Sequence, residues 1–435
     1  MKRLLLWIYQ GGLLVFGAVY LLVRAARGRE LPGIRERLAA YSKPQRRRLE
    51  SLDRPVWIHL VSVGEVLAAR PLMEELRRRF PGKKWLVTTV TPTGREVAEK
   101  NLRDERTEVV YLPWDLGPVV KRALKVIRPA LFLAFETELW PVLFDKLARA
   151  GVPIGLVNGR ISPRAYGRYL WVRPLMHRAL SPVGLFMTQS AQDARRFAAL
   201  GAAKDRIVVS GNVKWDLESQ ANGMGERAEA LRGAIGLRPG QRLWVAGSTH
   251  PREELLVFQA YSFLRARFPD LKLLIAPRHP ERVVEIEQEI EVTPAARYSS
   301  LKQNGAGGRD APVVILDTVG ELKEFYRIAD VVFMGGSLVP HGGHNLVEPA
   351  SFGRPILSGP YLQNFQAISE LLLQAKGMRV VQTSKELEQA VSRLLGSPSQ
   401  AAEMGARARA VFQENQGAVK RTADLISLRW GKSLS

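Results

Sequence analysis

The chain contains no cysteine among its 435 residues, which excludes disulfides, thiolate catalysis and Cys-ligated metal while leaving the compartment open. Acidic side chains are also in short supply: 42 Asp and Glu stand against 64 Lys and Arg, for a formal net charge of +22. An excess of that sign favours acidic partners, namely nucleic acid, anionic lipid or phosphorylated substrates. Neither G-x-G-x-x-G nor the P-loop occurs, so ordinary dinucleotide and NTPase readings lose ground. The six histidines are His59, His177, His250, His279, His341 and His344, and no pair has H-E-x-x-H or similar spacing, so no metal is assigned. There is no low-complexity tract and no convincing internal repeat.

What is present is a globular composition, 46% apolar and 24% charged, in a chain long enough that two hydrophobic cores are expected. Leu4 to Val23 is a run of twenty uncharged, mostly apolar residues, long enough to span a bilayer as a helix. Trp7, Tyr9 and Tyr20 lie near its ends, as interfacial aromatics do. Lys2 and Arg3 precede it and Arg24, Arg27, Arg29, Arg35 and Arg37 come after, which places the C-terminal bulk on the cytoplasmic side. A cleaved signal peptide would have a shorter apolar core and would not be trailed by arginines. Residues 1–30 are therefore expected to be an uncleaved anchor, spanning or interfacial.

Beyond a basic connector, short apolar runs alternate with amphipathic segments. Runs beginning at Val56, Trp85, Glu108, Ala130, Val152, Gly184 and Arg206 read as buried strands. The intervening segments, such as Ala69, Leu72, Met73, Leu76 and Phe80, have helical spacing. The rhythm breaks over Lys214 to Gly240 and restarts with runs at Arg242, Leu271, Pro312, Val331, Pro355 and Met378. This is the pattern of two parallel α/β domains, 31–215 and 241–435, joined by a linker at 216–240. The tail from Ser384 reads as two or three helices.

In parallel sheets ligands bind beyond the carboxyl ends of the strands, and most polar clusters of this chain fall at such ends. Examples are His59 to Glu65, Glu136-Thr137-Glu138, Asn158-Gly159-Arg160 and Gly211 to Lys214 in the first half. The second half has Gly247 to His250, Pro277-Arg278-His279, Asp317 to Glu321 and the stretch Met334–Ala350, MGGSLVPHGGHNLVEPA. Both domains are thus expected to aim polar loops at one shared cleft. In Met334–Ala350 four glycines and two histidines lie between a strand and a helix, an arrangement suited to an anionic group. His341 and His344 flank Gly342-Gly343 and read as backbone-ordering or phosphate-contacting. The same stretch has Asn345 and Glu348 in N-x-x-E spacing, which equally describes a capping box.

Several residues could carry chemistry. Glu65 comes after a strand and opens a helix, where the dipole would keep its carboxylate ionised as a general base requires, although first-turn glutamates are common. Glu136 and Glu138 could act as base or orient a basic partner, and two such carboxylates also occur in glycoside hydrolases. Lys214, Arg160, Arg252 and Arg278 are placed to meet phosphate or carboxylate. Each of these cations taken alone reads first as a solvated surface charge.

Taken in order, SVGE (Ser62–Glu65), TPTG (Thr91–Gly94), ETELWP (Glu136–Pro141), NGRIS (Asn158–Ser162), GNVKWD (Gly211–Asp216), GSTHPREE (Gly247–Glu254), APRHPER (Ala276–Arg282), DTVGEL (Asp317–Leu322) and Met334–Ala350 resemble the 3-deoxy-D-manno-octulosonic acid (Kdo) transferases of lipopolysaccharide synthesis. The resemblance covers nearly the whole chain. It implies the GT-B fold, two Rossmann-like domains facing a central cleft, here with the N-terminal anchor helix. It further implies transfer of Kdo from CMP-Kdo to a phosphorylated lipid A precursor at the cytoplasmic face of the inner membrane. The expected reaction is inverting, needs no metal or cofactor, and involves membrane lipids but no nucleic acid. By the same resemblance Glu65 is the general base, and Glu136 and Lys214 stabilise the transition state. Ser248, Pro277, Arg278, Val319, Gly320, Glu321, Asn345, Leu346, Val347 and Glu348 match donor-binding segments, with Glu348 expected on the ribose hydroxyls. Val213 and Trp215 depart from the commoner Leu and Phe without touching the chemistry.

The nearest alternative is another GT-B enzyme using a UDP-sugar on a membrane glycan precursor, which has no evident need for both SVGE and ETELWP. A non-catalytic binder of nucleic acid or anionic lipid would need basic residues interleaved with stacking aromatics on one face. Here the basic residues are spread along the chain.

Overall fold

The computed structural model describes residues 2–26, 31–216, 224–290, 293–303 and 308–434. Two compact units result, one made of Met1–Asp216 with Gln416–Ser435 and the other of Leu217–Asn415.

The first unit is built on β1 (Val56–His59), β2 (Trp85–Thr89), β3 (Thr107–Tyr111), β4 (Leu131–Phe135), β5 (Ile154–Gly159), β6 (Leu185–Thr188) and β7 (Ile207–Val209). They form one parallel sheet in the order β3-β2-β1-β4-β5-β6-β7. Val56 sits opposite Trp85 of β2 on one side and Leu131 of β4 on the other. β1 is buried along its whole length, as expected of a strand covered on both faces by crossover helices. On one face Trp57 meets Phe132 edge-on, with ring centroids 5.0 Å apart. On the other, Ile58 packs with Val66, Leu72, Met73 and Leu76 of the helix Val63–Arg79. Each such buried side chain stabilises the fold by roughly 1.5–3 kcal/mol. The chain runs outward in opposite directions from β1 and β4, so their boundary is the switch point at which a doubly wound sheet opens a crevice.

The second unit repeats the plan with β8 (Leu243–Thr249), β9 (Lys272–Pro277), β10 (Ala295–Arg297), β11 (Val313–Ile315), β12 (Val331–Met334), β13 (Ile356–Ser358) and β14 (Met378–Val380), in the order β10-β11-β9-β8-β12-β13-β14, all parallel. Its switch point lies between β8 and β12. Strand β10 is not legible in the sequence, because three residues of Ala-Ala-Arg at a sheet edge carry no apolar period.

Two boundaries differ from expectation. The helix Ala418–Leu434, assigned above to the second domain, belongs to the first unit. Its Ala418, Ala423, Ile426, Trp430 and Leu434 join the core of the helix Val63–Arg79, and Arg79 pairs with Asp424 at 2.7 Å. Sequence shows that this helix has an apolar stripe but not which surface the stripe covers. Of the linker 216–240, residues 217–223 lie outside those described, and Met224–Ala234 is a helix of the second unit.

The N-terminal run forms a helix, α1 (Lys2–Ala26). Among the described residues, however, no helix is long and apolar enough to cross a membrane. Gln10, Gly11, Gly12 and Gly17 dilute the run, and one face is occupied by protein. There Leu6 is buried, Tyr9 and Leu13 pack on the core of the first unit, and Gln10 accepts the Gly117 N–H at 2.8 Å. The opposite face leaves Trp7, Ile8, Leu14, Val15, Val19 and Leu22 more than half exposed. The structure has a helix lying along the unit with an apolar outer face.

Candidate functional site

At the first unit's switch point, β1 delivers Ser62 and Glu65 and β4 delivers Glu136 and Glu138. Glu65 stands in the first turn of the helix Val63–Arg79, where its carboxylate accepts the Val61 N–H at 2.9 Å and faces the Ser62 hydroxyl at 3.4 Å. Glu136 leaves β4 with φ 55°, a left-handed conformation that costs a non-glycine residue of order 1–3 kcal/mol and is concentrated at functional sites. That bend points its carboxylate at Lys214, whose Nζ lies 2.8 Å from Oε1, with Arg160 Nε 3.8 Å from Oε2. The lysine is placed in turn by β5. Asn158, buried and also left-handed at φ 53°, accepts the Val213 N–H at 3.1 Å. Asn212 then accepts the Lys214 N–H at 3.0 Å. Glu138 approaches His59 Nε2 at 3.6 Å, while His59 Nδ1 contacts the Thr88 carbonyl at 3.1 Å.

Burial pushes the Glu65 carboxyl up to about 8, and the charge of nearby Glu136 adds to the rise. The Val61 N–H and Lys214 pull the other way without prevailing. The dipole argument, which predicts an ionised Glu65, is thus outweighed by desolvation and like charge. A carboxyl titrating near working pH is well matched to accept and release a proton.

In the second unit β8 and β12 bring together residues about ninety positions apart. His250 Nε2 lies 2.8 Å from His344 Nε2. The His341 ring stacks on His250 at 4.0 Å between centroids, and His279 stands edge-on at 6.1 Å. Burial, reinforced by the neighbouring cations, pushes both His250 and His344 down to about 4. Gly335 has no room for a side chain, since a Cβ there would stand 2.6 Å from the Ser248 carbonyl. Ser248 itself is left-handed at φ 55°.

The glycine-rich turn does not leave its N–H groups open to a ligand. Glu253, fully buried, accepts those of Gly336, Ser337 and Leu338 at 2.6, 2.9 and 2.7 Å and that of His250 at 3.1 Å. The helix Val347–Ser351 has only five residues. Asn345 accepts the Val347 N–H at 3.1 Å and donates to Glu348 at 3.0 Å, a local turn and a side-chain pair rather than a capping box, since the helix's N-cap Leu346 has no side-chain cap bond. Burial raises the Glu348 carboxyl, and the Asn345 hydrogen bond opposes the rise.

The other predicted donor residues divide by exposure. Pro277 ends β9 and Arg278 comes next, exposed, its N–H on the Thr249 carbonyl at 2.9 Å. Val319 is 85% exposed, Gly320 turns at φ 92°, and Glu321 meets Lys302 at 3.1 Å. Leu346 and Val347 are core side chains, which leaves only their backbone for a ligand. Glu253 was not singled out in the sequence, where E-E at the end of GSTHPREE carries no mark of burial. Among the described residues no group of three or more His, Asp or Glu is arranged to hold a metal ion.

Residues 32–217 match the family described as 3-Deoxy-D-manno-octulosonic-acid transferase (kdotransferase). The 3-deoxy-D-manno-octulosonic acid transferase of Haemophilus influenzae is 34% identical over 85% of this chain and 86% of its own. That of Bordetella pertussis is 31% identical over 86% and 87%. Among solved structures, the UDP-GlcNAc 2-epimerase of Neisseria meningitidis superposes with a TM-score of 0.57 over 87% of this chain and 100% of its own at 12% identity, a likeness of GT-B fold alone.

Proposed function

Because the chain belongs to the Kdo transferase family and is a glycosyltransferase, we propose that it moves Kdo from CMP-Kdo to a phosphorylated lipid A precursor, with inversion and without a metal. The observation that carries the reading is the Glu65 carboxyl, raised to about 8 beside the Glu136–Lys214 pair.

In the proposed reaction Glu65 takes the proton of an acceptor sugar hydroxyl. The freed oxygen attacks the anomeric carbon of Kdo as the bond from that carbon to the phosphate oxygen breaks, and CMP leaves with the electron pair. Lys214, held against Glu136, is the fixed cation beside the base, and a charge fixed before the reaction stabilises a developing one without reorganisation. Arg278 and the cluster of His250, His341 and His344 are the groups proposed to meet the CMP phosphate. The Arg278 charge suits a metal-independent departure, with His250 and His344, held neutral by burial, as hydrogen-bonding groups beside it. Ser248, Pro277, Val319 to Glu321 and Asn345 to Glu348 are the segments proposed to hold the rest of the donor. The apolar outer face of α1 and the +22 charge suit an acceptor that is both lipid and anion, met at the cytoplasmic surface of the inner membrane.

The test is transfer of labelled Kdo from CMP-Kdo to a lipid A precursor, wild type beside Glu65→Gln. Product from wild type and almost none from a folded variant supports function and base together. Equal product from both removes Glu65 from the role and moves it to Glu136. No product from folded wild type turns the reading to a UDP-sugar donor.

A further inference from the structure

Between α1 and the carboxyl ends of β2 and β3 lies an open cavity of about 450 Å³. Its walls are Leu13, Val90, Pro92, Leu112, Trp114 and Trp140, and the volume is that of a small-molecule site. Arg37, Asp115 and Thr91 also border it, yet their polar atoms are already engaged by backbone. Arg37 donates to the Val90 carbonyl at 2.6 Å and the Pro32 carbonyl at 3.1 Å, and its guanidinium lies over the Tyr111 ring. Asp115 accepts the N–H groups of Val142 and Leu143 at 3.0 and 2.6 Å. Thr91 bonds the Val61 carbonyl and the Gly94 N–H. The cavity therefore offers a ligand apolar contact and very little hydrogen bonding, which excludes a sugar or a phosphate and fits a hydrocarbon.

Its position narrows the choice. The Val90 and Thr91 N–H groups donate to the Val61 carbonyl at 3.4 and 3.3 Å, and the Val61 N–H donates to Glu65 at 2.9 Å. Val61 thus links the cavity wall to the carboxylate. The helix that closes the other side is α1, whose outer face is apolar and exposed. Hydrocarbon coming from a lipid surface along α1 and ending beside Glu65 would bring its headgroup to the carboxylate.

We propose that this cavity holds an acyl chain of the acceptor lipid and so seats the acceptor hydroxyl near Glu65, an inference that rests on the lipid-acceptor reading above. Gly17 supplies the means to test it. A Cβ there would stand 3.8 Å from the Trp114 ring, an ordinary contact, so Gly17→Ala is tolerated while Gly17→Leu projects further into the space beside that ring.

Two measurements on the full chain decide the matter. In the first, bromododecanoic acid is titrated against tryptophan fluorescence. We expect saturable quenching in wild type and Gly17→Ala, lost in Gly17→Leu and reduced in Trp114→Phe. Absence of saturable quenching, or quenching unchanged in Gly17→Leu, overturns the proposal. In the second, kcat/KM is compared for an acylated acceptor and its deacylated counterpart. Excluding even two methylenes is worth roughly tenfold, so Gly17→Leu should lower the acylated-to-deacylated preference by about that factor or more, through KM. Quenching with an unchanged preference means the cavity takes some other lipid, which also overturns the proposal. Transfer to neither acceptor would sink the function proposed above, while the quenching would still report whether the cavity takes a hydrocarbon.

Discussion

His250 and His344 face each other Nε2 to Nε2 at 2.8 Å. Two lone pairs cannot occupy that gap, so one ring donates and the other accepts, and a second proton placed between the two Nε2 atoms would break the bond. Both rings are pushed down to about 4 by burial and then by each other or by the adjacent histidines and Arg278. A histidine whose folded value lies below its unfolded value contributes stability that is present above about 6.5 and lost as pH falls through about 4. Urea unfolding at pH 7.5 and 4.5 should therefore show a larger loss on acidification for wild type than for His344→Asn. Equal losses would mean the pair does not titrate as described.

Glu65 gives the opposite slope. Its carboxyl is raised from 4.5 to about 8, so it contributes stability that is fully present below 4.5 and lost as pH rises through about 8. Glu65→Gln carries no such penalty, and its advantage in melting temperature over wild type should grow across that window. Activity should move the other way. The kcat/KM of wild type should rise through pH 8 as the base ionises, while Glu65→Gln should lack that rise and fall about 10²–10⁴ below wild type in kcat above pH 8. A variant both less stable and active at pH 8.5 would contradict the assignment.

Glu253 should matter although it lies outside every motif role assigned above. Its carboxylate accepts four backbone N–H groups, three of them buried, and each buried group left without a partner costs about 1–3 kcal/mol. Glu253→Ala should destabilise the protein by several kcal/mol. Glu253→Gln, with one oxygen left and an NH₂ turned toward donors, should fold while raising the KM for the donor far more than it lowers kcat. Denaturation midpoints and donor titrations check the two halves separately.

Asp216 ties the lysine segment to the terminal helix. It accepts the Gly417 N–H at 2.6 Å and that of Val419, and Arg421 donates back to the Ser210 carbonyl at 2.9 Å. Asp216→Ala removes this cap, which should cost about 1–2 kcal/mol. It should also reduce kcat, because Lys214 stands two residues away. Unchanged kcat with lowered stability would confine Asp216 to folding.

The strands and the polar clusters at their ends were legible because parallel strands buried on both faces write continuous apolar runs and place the residues beyond them at one edge of the sheet. Glu65, Glu136 and Lys214 stand together for that reason. Other features depend on partners that no local pattern announces. Gly336, Ser337 and Leu338 read as an open anion cradle, but a carboxylate more than eighty residues earlier fills it. The Asn345–Glu348 spacing reads as a capping box, but the two side chains bond to each other and Asn345 turns onto the Val347 N–H instead. The ionisation of Glu65 is set by its neighbours rather than by its helix position. β10 was too short and too polar to mark itself.

The helix Ala418–Leu434 completes a unit whose first segment ends some two hundred positions earlier, at Asp216. During synthesis the first sheet, both glutamates and Lys214 leave the ribosome early. The stripe that buries Val213 and the cap that holds Asp216 emerge only after every residue of the second unit has been made. A nascent or prematurely terminated product ending before residue 416 would display all nine sequence motifs and still lack the helix that braces its lysine segment. Assembly of the base and its partner is in this sense a late event of translation, and one in which the second unit must exist before the first becomes competent.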